Sequence, residues 1–359
     1  MKIAQVAPLY ESVPPKLYGG TERVVSYLTE ELVNQGHEVT LFASGDSVTK
    51  ARLISPCEQS LRLDAACIDH LAHHVLLLEQ VSREAPNFDM IHFHVDYMHF
   101  PLSRHNHLPN VTTLHGRLDL PDLVPLYKDF REMPLVSISN AQRIPLPWVN
   151  WQATVYHGLP EDLYELHPGE GRYLAFLGRI SPEKGVDVAI EIAKRVGIEL
   201  RIAAKIDRVD EPYYRETIEP LLDDSRIEFV GEIGEAEKNE FLGNAMALLA
   251  PGDWPEPFGL VMIEAMACGT PTVGLGRGSI PEVIDDGKSG FAIQNVDEAV
   301  AAVNKIHDLS RRTCRETFTQ RFTASRMARD YVEVYHRLLE AKGTKSGSPG
   351  KESWKTSSA

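Results

Sequence analysis

The chain is poor in the features that would place it outside ordinary globular enzymes. Its four cysteines, Cys57, Cys67, Cys268 and Cys314, form no C-x-x-C pair. That argues against a disulfide framework or a thiolate zinc site and leaves free thiols in a reducing compartment as the expectation. No apolar run approaches the roughly 18 residues that a membrane-spanning helix needs. Met1-Lys2-Ile3 leads straight into a strand pattern, so neither a signal peptide nor an integral membrane segment is expected, and the cytoplasm is the expected location. Basic excess is missing as well. The 37 Lys and Arg stand against 51 Asp and Glu for a net charge of −14, and Met1–Val155 alone holds 12 basic and 17 acidic residues. Nucleic acid or an anionic membrane as the main partner is disfavoured. Histidine is locally dense, at His92, His94, His99, His105, His107 and His115, but without a neighbouring Cys ligand or an H-e-x-x-H spacing, so no metal site is read there.

What is present is a two-fold alternation of strands and helices. At 359 residues the chain can bury two full cores. Ile3–Ala7 reads as a strand, Thr21–Gln35 as a helix and Val39–Ala43 as the next strand, a βαβ opening that implies a parallel sheet. Between the first two lies Gly19-Gly20, where backbone amides can approach a phosphate, although loops also use glycine merely to turn. Residues 64–85 read as a helix, and Met90–His94, Val111–Leu114, Leu135–Ser139 and Thr154–Tyr156 as strands. His115 follows one of these strands at the edge where open α/β sheets bind ligands. A first unit of residues 1–156 and a Gly- and Pro-containing linker over 157–171 are expected, then a second unit over 172–317. In it, strand Tyr173–Leu177 is followed by Arg179, Lys184 and a helix over Val186–Arg195, and further strands are read at Leu200–Ala204, Ile227–Val230 and Ala247–Ala250. A helix over Thr323–Glu340 and a Ser-, Gly- and Lys-rich tail over 343–359, expected to be disordered, complete the pattern.

The most informative stretch is Ala250–Val273. A strand ends at Pro251-Gly252, a Pro-rich loop carries Glu256, and a helix begins at Phe258-Gly259 with Glu264 on its second turn. Helical rise puts the two carboxylates roughly 10 Å apart. The free amides of Phe258, Gly259 and Leu260 suit anionic oxygens. Glu264 stands among Val261, Met262, Ile263, Ala265, Met266 and Ala267, where a carboxylate requires a partner. By contrast, Thr272–Ser279 only approximates a dinucleotide fingerprint. Its last glycine position is Ser279, and Asp297, roughly the right distance on, opens a helix instead of ending a strand.

Glu256 to Glu264 resembles the E-x7-E motif of the retaining GT-B glycosyltransferases of family 4. The similarity continues through Pro257-Phe258-Gly259 and Ala265–Pro271, through Gly178-Arg179 with Lys184-Gly185, and through Gly19-Gly20. This resemblance implies an α/β fold of two Rossmann-like domains facing across a cleft, with the last helix, about 318–340, crossing back onto the first. It implies that Glu264 holds the ribose of a nucleotide, that Glu256 contacts the donor sugar, and that Arg179, Lys184 and loop amides meet the diphosphate. It also implies that Ile233 lies near the base and that His115 faces the transferred sugar. The family usually has Asn-Gly where this chain has His157-Gly158. No D-x-D occurs, so no metal or other cofactor is expected. The implied reaction is retaining transfer of a hexose, with UDP-glucose as the expected donor. A nucleotide-sugar 2-epimerase and a non-catalytic nucleotide-sugar sensor are the alternatives, the first sharing the architecture.

A small soluble acceptor is expected in place of a lipid-linked or polysaccharide one, because the first unit offers no basic surface for a membrane. The overall pattern is also similar to that of cyanobacterial glucosyltransferases acting on tetrahydrobiopterin. A pterin presents two parallel N–H donors that one carboxylate can accept. Glu11, Asp96 and Asp119 follow strands of the first unit and are the acids expected to bind the acceptor. Oligomeric state is not indicated.

Overall fold

The alternation of buried strands and amphipathic helices closes into two parallel sheets. The structure, a computed structural model, describes residues 1–17 and 19–345. The first sheet contains Lys2–Val6 (β1), Glu38–Phe42 (β2), Arg52–Ile54 (β3), Met90–Phe93 (β4), Asn110–Thr113 (β5), Leu135–Ser137 (β6) and Trp151–Thr154 (β7). The second contains Tyr173–Arg179 (β8), Leu200–Lys205 (β9), Ile227–Gly231 (β10), Ala245–Ala250 (β11), Thr272–Leu275 (β12) and Gly290–Ile293 (β13). Their orders are β3-β2-β1-β4-β5-β6-β7 and β10-β9-β8-β11-β12-β13. Each reverses direction once, between β1 and β4 and between β8 and β11. Loops leaving the C-terminal ends of these strands open a crevice, and this is where α/β sheets place ligands. Gly19-Gly20 follows β1, Arg179 ends β8, and Glu256 follows β11.

Helices cover both sheets, so the inner strands are largely buried on both faces and read as nearly continuous apolar runs. Every residue of Met90–Phe93 is buried, His92 included. The helix Ala324–Lys345 leaves the second half of the chain and lies on the first. Its Met327, Tyr331, Val334 and Tyr335 are buried, and the Tyr335 hydroxyl reaches His92 in β4. Leu159 bridges to Thr323 just before this helix, and a Cβ at the neighbouring Gly158 would sit 2.3 Å from the Thr323 carbonyl oxygen.

Some boundaries differ from those expected. The helix expected over 64–85 spans His70–Glu84, because the Asp69 carboxylate accepts from the Leu71 and Ala72 amides and caps it there. The strand expected at Thr154–Tyr156 lies at Trp151–Thr154, where its register with Leu135–Ser137 places it. Arg52–Ile54 and Gly290–Ile293 are strands that the sequence did not announce. They are edge segments of three and four residues, too short for a clear alternation. The last helix runs to Lys345, into the stretch expected as a tail, and residues 346–359 of that stretch lie outside the described residues.

Candidate active site

A cavity of about 550 Å³ is lined from both halves of the molecule. From the first come Gly19, Gly20, Asp96 and His115, and from the second Arg179, Lys184, Ile233, Glu256 and Glu264, together with Phe258-Gly259-Leu260. The two halves meet closely: a Cβ on Gly20 would stand 3.8 Å from Leu260 Cδ1. Gly259 precedes the helix Leu260–Ala267 at φ 78°, a conformation that favours glycine, and a Cβ there would lie 2.7 Å from Met262 Cε. Phe258, Gly259 and Leu260, where the helix starts, line the cavity.

Glu264 is almost wholly enclosed, at 1% exposure. Its Oε1 accepts from Lys238 Nζ at 2.8 Å, while its buried Oε2 has no partner among the described residues. Lys238 also lies 3.5 Å from Glu235, which pairs with Arg23 of the first half. A buried carboxylate that lines a cavity with one oxygen satisfied and the other unpartnered can take a hydroxyl donor. Two cations that line the cavity, Lys184 and Arg179, are held by nearby carboxylates. Lys184 contacts Glu256, whose Oε2 also accepts from Trp254 Nε1 at 3.0 Å, and the ammonium lies 4.9 Å from the Trp254 ring centroid. Arg179 contacts Glu183 and lies 3.4 Å from Asp210 and 3.8 Å from Asp207. An anion entering between Arg179 and Lys184 would take over cations now held by carboxylates.

The acids expected at the acceptor side separate. Asp96, at φ 50°, is exposed where it lines the cavity, and the cavity walls push its carboxyl up to about 6. Glu11 is buried behind the lining. Burial raises its carboxyl, and Arg62, 2.8 Å away and itself lining the cavity, partly offsets that. Asp119 is not brought into the cavity: Arg117 holds both its oxygens at 2.7 Å and keeps it below the usual carboxylate range.

The histidines form a network. His94 Nδ1 is 2.9 Å from His115 Nε2, and His115 stacks on His157 with centroids 5.3 Å apart. Burial pushes His115 down to about 3 and His92, His94 and His157 well below their ordinary value. Among the described residues no cluster of His, Cys, Asp or Glu has the arrangement of a metal site.

Sequence reasoning missed Arg23, Glu22, Lys205, Lys238 and Trp254, all of which line the cavity. Glu22 is 5% exposed, and burial pushes its carboxyl up to about 7. An acid two residues past a glycine pair was a usable signal; Lys238, on an ordinary-looking charged helix, gave none. Ile68, Leu71 and Val75 are exposed to 98, 63 and 58% beside Tyr10, a cavity-lining residue that packs on His70 and His74. An apolar surface thus does lie near the cleft.

Comparison with known proteins follows these lines. Residues 18–159 match the family described as Glycosyltransferase Family 4, and residues 164–321 match Glycosyl transferases group 1. The chain belongs to the GT-B glycosyltransferases that join these two domains. Its relatives include a D-inositol 3-phosphate glycosyltransferase of Mycobacterium marinum, 32% identical over 149 residues, which are 38% of this chain and 30% of that protein. The chain spans about half the length of other curated relatives it matches, such as 48% of the phosphatidyl-myo-inositol mannosyltransferase of Mycobacterium leprae, 29% identical. AviGT4, a glycosyltransferase involved in avilamycin A biosynthesis, superposes with a TM-score of 0.73 at 25% identity, covering 94% of this chain and 98% of that one.

Proposed function

We propose that the chain transfers a hexose, α-linked glucose, from UDP-glucose to a small acceptor with retention of configuration. The observation that carries this reading is the half-satisfied, buried Glu264 opposite Arg179 and Lys184 in one cavity. In it the ribose hydroxyls of the donor meet Glu264 Oε2, and the diphosphate draws Arg179 from Asp207 and Asp210 and Lys184 from Glu256. The uracil lies toward Ile233. The solved structure of Anabaena HepE with UDP and glucose shares the fold, with a TM-score of 0.72 at 17% identity. UDP as the leaving group is thus in keeping with the architecture.

The anomeric carbon loses its bond to the β-phosphate oxygen and gains one to the acceptor oxygen on the same face. The acceptor's proton passes to the departing phosphate. Preorganised cations and the amides at Phe258–Leu260 stabilise the leaving diphosphate without reorganising as charge develops. Released from Lys184, Glu256 stabilises positive charge at the anomeric carbon, and His115 faces the sugar. No metal is assigned a part, because the chain has no D-x-D.

Asp96 supports a pterin acceptor, since its carboxylate lines the cavity with no cation paired to it among the described residues. The apolar surface of Ile68, Leu71 and Val75 favours a second reading, a lipid-linked acceptor. Transfer from UDP-glucose to tetrahydrobiopterin, to a lipid phosphate and to simple sugars tests both. Turnover on the pterin supports the first, and turnover on the lipid alone replaces it with the second.

A further inference from the structure

Uncharged side chains link the crossing helix to the cleft in one continuous path. The Tyr331 hydroxyl lies 2.9 Å from Thr113 Oγ1, which is 2.7 Å from His92 Nε2, and His92 Nδ1 is 2.8 Å from the Tyr335 hydroxyl. Gln5 Nε2 donates to the Tyr335 hydroxyl at 3.2 Å, and Gln5 Oε1 lies 2.8 Å from His94 Nε2. His94 Nδ1 then meets His115 Nε2 at 2.9 Å. Gln5, His92 and Thr113 are fully buried and His94 nearly so, which leaves no room for water to relax a mismatched bond.

Counting hydrogens from Gln5 toward the cleft fixes His94 and His115. An amide oxygen only accepts, so His94 carries its hydrogen on Nε2. A neutral imidazole has one N–H, so His94 Nδ1 accepts from His115 Nε2–H, and His115 Nδ1 is left as a bare lone pair. No described residue hydrogen-bonds that nitrogen, and the ring lines the cavity. Turning the Gln5 amide over would reverse every bond and give the cleft an N–H instead. The distances oppose this. The Gln5–Tyr335 contact of 3.2 Å suits N–H···O, whereas O–H···O bonds fall at about 2.5–3.0 Å.

We propose that Gln5, a positioning residue on β1, selects the tautomer of His115, so that the cleft is offered a hydrogen-bond acceptor there. The side chain thus receives a substrate hydroxyl and does not donate to one. This rests on the reading above only for what occupies the cleft, because the tautomer itself is a property of the free protein.

The test is a long-range proton–nitrogen correlation spectrum of histidine-¹⁵N-labelled protein at neutral pH, with His115→Ala to identify the resonances. His115 should show a protonated Nε2 and an unprotonated Nδ1. Gln5→Leu removes the acceptor and should convert His115 to a mixture of tautomers. Gln5→Glu, whose carboxyl stays protonated at this fully buried position, donates to Tyr335 and accepts from His94 and should restore the single form. Sugar transfer should fall about tenfold in kcat in Gln5→Leu with the donor KM little changed, and recover in Gln5→Glu. A proton on His115 Nδ1 in the wild type, or an unchanged spectrum in Gln5→Leu, overturns the proposal. Should Gln5→Leu fail to fold, the wild-type spectrum decides by itself. The predicted spectrum in a protein that transfers no sugar would overturn the proposed reaction and leave the tautomer assignment standing.

Discussion

Glu264→Gln isolates the contact on which nucleotide binding is argued to depend. The wild-type carboxylate accepts from Lys238 on Oε1 at 2.8 Å and keeps a buried, unpartnered Oε2. Lys238 can only donate, so the glutamine must turn its oxygen to the lysine and its NH₂ to the place Oε2 held. The ribose then loses at least one hydrogen bond to a charged acceptor, worth about 1.5–3 kcal/mol. UDP should bind roughly 10- to 150-fold more weakly. The variant should still fold, because Lys238 retains Glu235 at 3.5 Å. Lys238→Met, in contrast, strands a buried carboxylate and should cost about 3–5 kcal/mol of stability. Calorimetric titration with UDP gives the affinity directly. In steady state the donor KM should rise while kcat changes little, as expected for a contact made equally in ground and transition states. Unchanged UDP affinity, or a collapse of kcat at constant KM, would refute the assignment.

Other perturbations test separate parts of the account. Arg179→Ala and Lys184→Ala should each raise the barrier by about 2–4 kcal/mol, and wild-type rates should be the same in EDTA as with Mg²⁺; strict metal dependence would contradict the role given to these cations. His74, His92, His94, His99, His115 and His157 are all depressed, so between their folded values and about 6.5 the unfolded chain binds more protons. Each contributes stability that is present above that value and lost as pH falls, at up to about 1.4 kcal/mol per pH unit. The raised carboxyls of Glu11, Glu22, Asp96 and Asp210 act in the opposite sense but are fewer, so the melting temperature should fall on acidification from pH about 7 to about 5; a rise would contradict the histidine network. Gly158→Ala drives a methyl group into the Thr323 carbonyl and should destabilise by about 1–3 kcal/mol or more, visible in thermal melts.

The sequence carried the parts of this molecule that depend on local order. Alternating strands and helices, glycines at strand ends and the carboxylates Glu256 and Glu264 lie within short windows, so spacing alone placed them. Contacts across the chain were not accessible that way. Tyr335 meets His92, 243 residues away, and Tyr331 meets Thr113, 218 residues away, and nothing in a helical stripe says which buried tyrosines carry a polar partner. The same holds for Lys238 beneath Glu264 and for Arg23 on Glu235, ion pairs made when separate helices converge. Asp119 shows the converse: it sits past a strand at the ligand edge, yet Arg117, two residues before it, holds it outside the cavity.

Release of UDP from UDP-glucose tests the central claim most directly. Purified protein incubated with a panel of nucleotide-hexoses in EDTA should liberate nucleoside diphosphate, fastest from UDP-glucose. Acceptor should accelerate the release and yield an α-linked product, and Lys184→Ala should abolish most of it. No diphosphate from any nucleotide-hexose, with or without acceptors, or a β-linked product, would contradict the account.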